Sequence, residues 1–461
     1  MPSTMPLLGL ALGLASLLAP FPAAAQPADV PQDAAVPWRV VHAGRLLDRP
    51  GQPPRGPSTV VIRAGVVASV LDGHQPVAAL AGVPADAPVI DLRQRFVLPG
   101  LIDSHVHLSS DRGGIAGKLD AIGASPADVA YEAQMNAGKT LAAGFTTVRN
   151  LGDGDGVIRA LRDAIAAGKL RGPRILTANA SISASAGHAD PTLGFRSELH
   201  PALDRHGNLC DGAAECRRAV RRQVAGGADV IKMTITGGVN SPIGAGLGLQ
   251  MFEDEARAVI ETAHLYGKKV AVHAHGADGI AMALRLGADS IEHGTLLDDE
   301  GLALFRDSGA YYVPTLSTVN GYRERLEANP EAYTGEVLEK IRWRIGITGR
   351  ALERAVPAGV RIAFGTDAGV SLHGRNADEF ELMVRFGMTP MQALVAATVN
   401  AADLLGLGEV VGSLQPGRQA DLVAVAGDPL EDIAVLKRID WVMRSGEVVH
   451  DPATGVFAAR P

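Results

Sequence analysis

From residue 38 to residue 73 apolar and polar positions alternate, with turn residues between the runs, as in Trp38-Arg39-Val40-Val41 and Thr59-Val60-Val61-Ile62. A period of two predicts short, half-buried β-strands. The other end of the chain has the same character: Asp421-Leu422-Val423-Ala424-Val425 and Trp441-Val442-Met443 are separated by Gly and Asp-Pro punctuation. Two β-rich ends around a long middle predict a small discontinuous β-sandwich domain, residues 38–96 plus 406–461.

The middle, residues 97–405, changes rhythm. Short apolar runs alternate with longer helical patterns, and eight runs read as strands: Phe96-Val97 through Leu108, Thr146 to Leu151, Arg174 to Ala178, Asp229 to Thr236, Lys269 to His275, Ser290 to His293, Ala310 to Leu316 and Arg361 to Asp367. Eight strands with helices between them predict an α/β fold, a (β/α)8 TIM-like barrel. One helix is expected over 252–266, where Glu253, Asp254 and Glu255 suit the positive end of the helix dipole. Another opens at Thr389-Pro390, an N-cap followed by proline at the first helical position, and runs to about Leu405.

Composition narrows the function. The 461 residues are 47% hydrophobic, ample for a large core, and the net charge of −7 argues against a surface built to neutralise nucleic-acid phosphates. Residues 7–21 form an apolar run that ends at Ala23-Ala24-Ala25 before Gln26. That pattern predicts a signal peptide over 1–25, a Pro/Ala-rich linker over 26–37 and an exported protein, periplasmic or secreted, without a membrane span after cleavage. The two cysteines, Cys210 and Cys216, lie close together, and export makes a disulfide the expected pairing. The run Arg217-Arg218-Ala219-Val220-Arg221-Arg222 is expected to be a solvated helix face rather than a binding patch.

The chemistry gathers at the ends of the predicted barrel strands. In Pro99-Gly100-Leu101-Ile102-Asp103-Ser104-His105-Val106-His107 the two histidines share a strand face, so both imidazoles can bind one metal. Taken alone, such a pair is as readily structural. Lys232 lies opposite Ile231 and Met233 and so faces the barrel axis. It could pair with a carboxylate or reach solvent at the rim; it could also capture carbon dioxide as a carbamate whose oxygens bridge two cations. His273 and His275 fall on the axial face of one strand, His293 ends the next, and Asp367 ends the last with Ala363 and Gly365 on its side. Asp367 alone could cap a helix, and Asp103 could support a ligand or cap its strand. Convergence is the stronger argument, because barrel chemistry sits at the carboxyl ends of the strands.

These residues, in this order, resemble the amidohydrolase superfamily over nearly the whole mature chain. Pro99 to His107, Lys232, His273, His293 and Gly365-Thr366-Asp367 match its binuclear, carboxylated-lysine pattern. Gly387-Met388-Thr389-Pro390, Ala396-Ala397-Thr398 and Gly412 to Gly417 carry the match to the C-terminal end. Lys232 to Val239 and Ala186-Gly187-His188 look like the branch of Xaa-Pro dipeptidases and imidazolonepropionase-like proteins that includes ochratoxin-hydrolysing enzymes.

The resemblance implies two divalent cations, for which the ligand set suits zinc. His105, His107 and Asp367 would hold the buried metal, His273 and His293 the more exposed one, and a carbon dioxide-derived carbamate on Lys232 would bridge them. It implies a metal-bridging hydroxide as nucleophile, with Asp367 as both ligand and acid/base. His188 and His275 are candidate substrate contacts, or supports that orient a ligand. The expected reaction is hydrolysis of an amide between an acyl group and an amino acid: a dipeptide, an N-acyl amino acid or an ochratoxin A-like amide bearing a carboxylate. Two alternatives remain at this level, a cyclic amide or imidazolone hydrolase and a non-catalytic metal-binding barrel. The resemblance also implies a large homo-oligomer such as an octamer, while the charge balance predicts no nucleic-acid partner.

Overall fold

In the computed structural model the described residues are 37–242, 246–333 and 335–457. The expected signal peptide and linker, up to residue 36, lie outside them. The strands are β1 (Trp38–Leu46), β2 (Ser58–Arg63), β3 (Val66–Asp72), β4 (Val89–Pro99), β5 (Leu101–Val106), β6 (Phe145–Asn150), β7 (Arg174–Thr177), β8 (Ile231–Thr234), β9 (Val270–Ala274), β10 (Ser290–His293), β11 (Tyr311–Val313), β12 (Leu422–Val425), β13 (Trp441–Arg444) and β14 (Glu447–His450).

Both chain ends enter one seven-stranded sheet in the order β14-β13-β12-β4-β1-β2-β3. It is antiparallel except where β1 pairs with β4. Val41, Ile62, Leu92, Leu422 and Met443 pack in one buried cluster, so residues far apart in sequence share the apolar face that period-two alternation required.

The run expected to be one strand from Phe96 through Leu108 is two. β4 belongs to the seven-stranded sheet and β5 to the barrel, with Gly100 at the junction. A Cβ at Gly100 would sit 2.2 Å from Thr146 Oγ1, so only glycine lets the chain change sheets this close to β6. Apolar content alone could not show the break, because both halves are buried.

The barrel is a ring of parallel strands. β5-β6-β7 and β8-β9-β10-β11 are its regular arcs, and a parallel bridge from Ile182 to Met233 joins them on one side. The run 361–368 fills the eighth position through bridges from Ile362 to Tyr312 and from Ala368 to Val106. It is less regular than its neighbours. Its backbone is held by Ser104 N to Phe364 O at 2.9 Å, Asp367 N to His105 O at 2.7 Å and Asn400 Nδ2 to Ile362 O at 2.8 Å.

Up to the strand ends, parity is as read from the sequence. Val106, Ile231, Met233, Val270, Val272, Ile362 and Phe364 join the cluster shared with the helices, while Ala271 and Ala363 lie in separate clusters with residues of other barrel strands. The helix Glu253–Leu265 starts with its acidic turn, and Glu255 accepts from the Phe252 N–H. Thr389 caps the helix beginning at Pro390, which passes through a wider turn over Ala396–Asn400 before ending at Leu404. Arg217, Arg218, Arg221 and Arg222 are exposed on the helix Ala213–Ala225. Cys210 and Cys216 form a disulfide that ties the segment before the helix to Cys216 in its first turn.

Candidate metal centre

Six side chains converge at the carboxyl ends of the barrel strands in two groups. His105, His107 and Asp367 form one and His273, His275 and His293 the other, the ligand atoms within each group lying within 4.8 Å of one another. Lys232 lines the same cavity, of about 280 Å³, as all six. His275, expected as a substrate contact or support, is thus also placed as a third nitrogen donor in the second group.

Each imidazole is anchored through one nitrogen, which leaves the other free. His105 Nδ1 lies 2.7 Å from Glu292 Oε2, and His107 Nδ1 lies 3.2 Å from Gly152 O. His293 Nδ1 pairs with Thr315 Oγ1 and His275 Nδ1 with Thr295 Oγ1, each at 2.7 Å. His273 is held the other way round, by Nε2 at 3.3 Å from Gly237 O. The free nitrogens of His105 and His107 both approach Asp367 Oδ1, at 3.5 and 3.2 Å. A second partner on every ring is how proteins orient and strengthen histidine ligands.

The electrostatics suit cation binding. Burial, reinforced by the charge of Lys232, lowers His105 to about 4. Burial and neighbouring charges hold His273, His275 and His293 well below the ordinary imidazole value, so all four rings are neutral near pH 7 and able to ligate. Burial works against the Asp367 anion, yet His105, His107 and Lys232 keep its carboxyl low, at about 2. Burial also brings Lys232 down to about 8, which makes the neutral amine accessible. Lys232 is 3% exposed, and its ammonium has no ion pair within reach among the described residues. A buried amine without a direct partner is costly unless something else satisfies it. Divalent cations and a carbamate fit these residues: neutral imidazoles, one carboxylate and one deprotonable amine on a common cavity.

The exposure gradient differs from that expected of the two metals. His107 is the open member, 32% exposed at its side chain, whereas His273, His275 and His293 are all buried. The loops after β7 and β8 cover that side. His188 stacks on His273, with ring centroids 4.2 Å apart, and its Nδ1 meets the Ser241 hydroxyl. Gly238 makes room for it: a Cβ there would come within 2.2 Å of the His188 ring. Asp103 supports the centre from beneath, accepting from Thr366 Oγ1 at 2.6 Å, Asn376 Nδ2 at 2.8 Å and the His105 N–H at 3.1 Å. It ties the backbone of one ligand strand to that of the other.

Sequence reasoning missed Glu292, Arg149 and Arg344. Glu292 is fully buried and joins His105 to Arg149, whose Nη2 lies 2.8 Å from Glu292 Oε1. A glutamate beside His293 was the available signal, but strict alternation would have turned one of the two away from the axis. His293 has φ +72°, a left-handed conformation that breaks the alternation at the strand end, and Asp367 does the same at φ +57°.

Comparison with known proteins agrees with this geometry. The model of the amidohydrolase family matches residues 96–449. The chain is 31% identical over 440 residues to the ochratoxinase of Aspergillus niger, covering 90% of this chain and 87% of that protein. It is 25% identical over 390 residues to the imidazolonepropionase of Geobacillus kaustophilus, covering 79% and 82%. Among solved structures it is similar to a Xaa-Pro dipeptidase with methionine bound in the active site, with a TM-score of 0.84, 38% identity, and coverage of 90% of this chain and all of that one. With the family model spanning both ligand groups and the barrel that carries them, the chain belongs to the amidohydrolase family and is a hydrolytic enzyme acting on C–N bonds.

Proposed function

We propose that this enzyme hydrolyses the amide joining an acyl group to an amino acid, as in a dipeptide, an N-acyl amino acid or an ochratoxin A-like amide. The observation that carries the reading is the pair of facing ligand groups around Lys232 in one cavity. His105, His107 and Asp367 would hold one divalent cation, His273 and His293 a second, and a carbamate on Lys232 would lie between them; zinc suits the set. Bound there, the cations supply Lewis acidity toward the substrate carbonyl and toward water. Asp367 then has a proton-handling role, because its carboxylate is held ionised, borders the cavity and can pass a proton to the departing nitrogen. His188 and His275 border the same cavity, within reach of a substrate.

The relatives support the acyl-amino-acid reading: one is an ochratoxinase and one a Xaa-Pro dipeptidase holding methionine, an amino acid, in its site. Export to the periplasm or medium fits the apolar leader and the Cys210–Cys216 disulfide. Assembly into a homo-oligomer fits the exposed Leu119, Ile122, Tyr131 and Met135 on the helices Gly114–Gly123 and Pro126–Ala142. Light scattering of the purified protein tests it, and a monomer would overturn it.

The deciding assay incubates zinc-loaded protein with dipeptides, N-acyl amino acids and ochratoxin A and follows release of the free amino acid. Turnover of at least one of these classes is expected. Turnover of cyclic amides alone would replace the proposal with an imidazolone-type reaction.

A further inference from the structure

The cavity contains a second cation besides Lys232. Arg344 lies on the helix Gly335–Ile347 and is only 4% exposed, yet it lines the cavity that holds the metal-ligand candidates. Its contacts are with neutral acceptors: Nη1 to Thr348 Oγ1 at 3.1 Å and Nη2 to Thr315 O at 3.5 Å. Glu379 and Asp367 act on it through space, but among the described residues no carboxylate lies within ion-pair distance. Glu379 is committed to the Leu316 and Ser317 N–H groups, and Asp367 to the histidines. A guanidinium has five donors in a planar fork and cannot shed its charge, so burying one without a counter-ion is unfavourable unless an anion arrives.

Beside it Tyr322, also 4% exposed, lines the same cavity. Its hydroxyl oxygen accepts from Asn240 Nδ2 at 3.2 Å, and its own proton has no acceptor among the described residues. The support is rigid. Lys340, one turn before Arg344, donates to Gly238 O at 3.1 Å and to Ser241 O, which fixes this helix against the loop that packs on His188.

We propose that Arg344 and the Tyr322 hydroxyl form a carboxylate subsite facing the metal centre, which holds the free carboxylate of the amino-acid half of the substrate and sets specificity for it. The inference rests on the acyl-amino-acid reading given above and deepens it by naming the group that the site selects. A guanidinium accepts a carboxylate through two parallel N–H···O bonds, and the phenol proton can complete the clamp. The other half of the substrate is left to the adjoining cavity of about 870 Å³, which shares Asn240, Gly369 and Val370 with the metal centre and is lined by Ile115, Phe195 and Val337. Bulky acyl groups are therefore tolerated while loss of the carboxylate is not.

The test separates binding from turnover. Calorimetric titration of metal-loaded wild-type enzyme, at a pH low enough that both α-amines are protonated, compares L-phenylalanine with L-phenylalaninamide, in which an uncharged carboxamide replaces the carboxylate. Preference for the acid by about 100-fold is expected, with Arg344→Met erasing it at unchanged metal content, Arg344→Lys keeping part of it and Tyr322→Phe weakening it less. Equal binding of the two ligands by wild type overturns the proposal without recourse to any variant, as does a preference that survives in Arg344→Met. An Arg344-dependent preference in an enzyme that cleaves no amide would sink the reaction and leave the subsite standing. Amide cleavage without carboxylate preference would do the reverse.

Discussion

Glu292 stands between His105 and Arg149, with Oε2 2.7 Å from His105 Nδ1 and Oε1 2.8 Å from Arg149 Nη2. Burial opposes the Glu292 anion, but Arg149 and His105 hold its carboxyl low, at about 2, so it stays charged and directs the free nitrogen of His105 toward Asp367. Removing that charge frees the ring and leaves a buried guanidinium unpaired. Glu292→Gln should lower metal affinity by about 10- to 100-fold, measured as metal retained after dialysis against a graded chelator. Wild-type retention would refute the orienting role.

Asp367 carries a proton-transfer role as well as a ligand role. Asp367→Asn keeps one oxygen for ligation and cannot take up a proton, so kcat should fall by about 10²- to 10⁴-fold. Metal analysis of the same sample distinguishes lost chemistry from lost metal. Full activity at normal metal content would remove Asp367 from the reaction.

Gly238 has a sharper prediction, because its side-chain position is already taken by the His188 ring. Gly238→Ala should displace His188 while leaving both ligand groups in place, which raises KM or lowers kcat at unchanged metal content. Paired with His188→Ala and His275→Ala, it separates two roles. A substrate contact changes affinity for substrate, whereas a ligand or its support changes affinity for metal. If Gly238→Ala matches wild type in both, the packing of His188 has no functional weight.

Glu379 gives a pH signature in stability. It is buried, accepts from the Leu316 and Ser317 N–H groups at 2.9 and 2.6 Å, and thereby fixes the turn after Thr315, whose hydroxyl holds His293. Burial raises its carboxyl from 4.5 to about 7, against those hydrogen bonds. A raised pKa means that the folded state binds the proton more tightly than the unfolded state. Its stabilising contribution is therefore complete below pH 4.5 and lost as pH rises to about 7. Relative to Glu379→Gln, wild type should lose at most about 3 kcal/mol across that window, read from denaturant titrations at several pH values. Parallel curves for the two proteins would show that Glu379 does not titrate there.

Much of this enzyme was legible in its sequence because strand geometry has a period of two. Alternation placed Lys232 on the axis opposite Ile231 and Met233, and put Ala363 and Gly365 inside with Phe364 outside. The two β-rich ends likewise announced a sheet that the chain leaves and later rejoins. What alternation could not supply was decided by the folded chain. The His105–Glu292 contact spans 187 positions and the Arg149–Glu292 contact 143, and neither separation leaves a local pattern. Glu292 and His293 both serve the centre because a left-handed residue ends their strand, an exception that no periodic rule contains. Local pattern determines which face a side chain takes; which distant groups meet there, and whether a buried charge such as Arg344 finds its counter-ion in the protein or in a ligand, depends on packing in three dimensions.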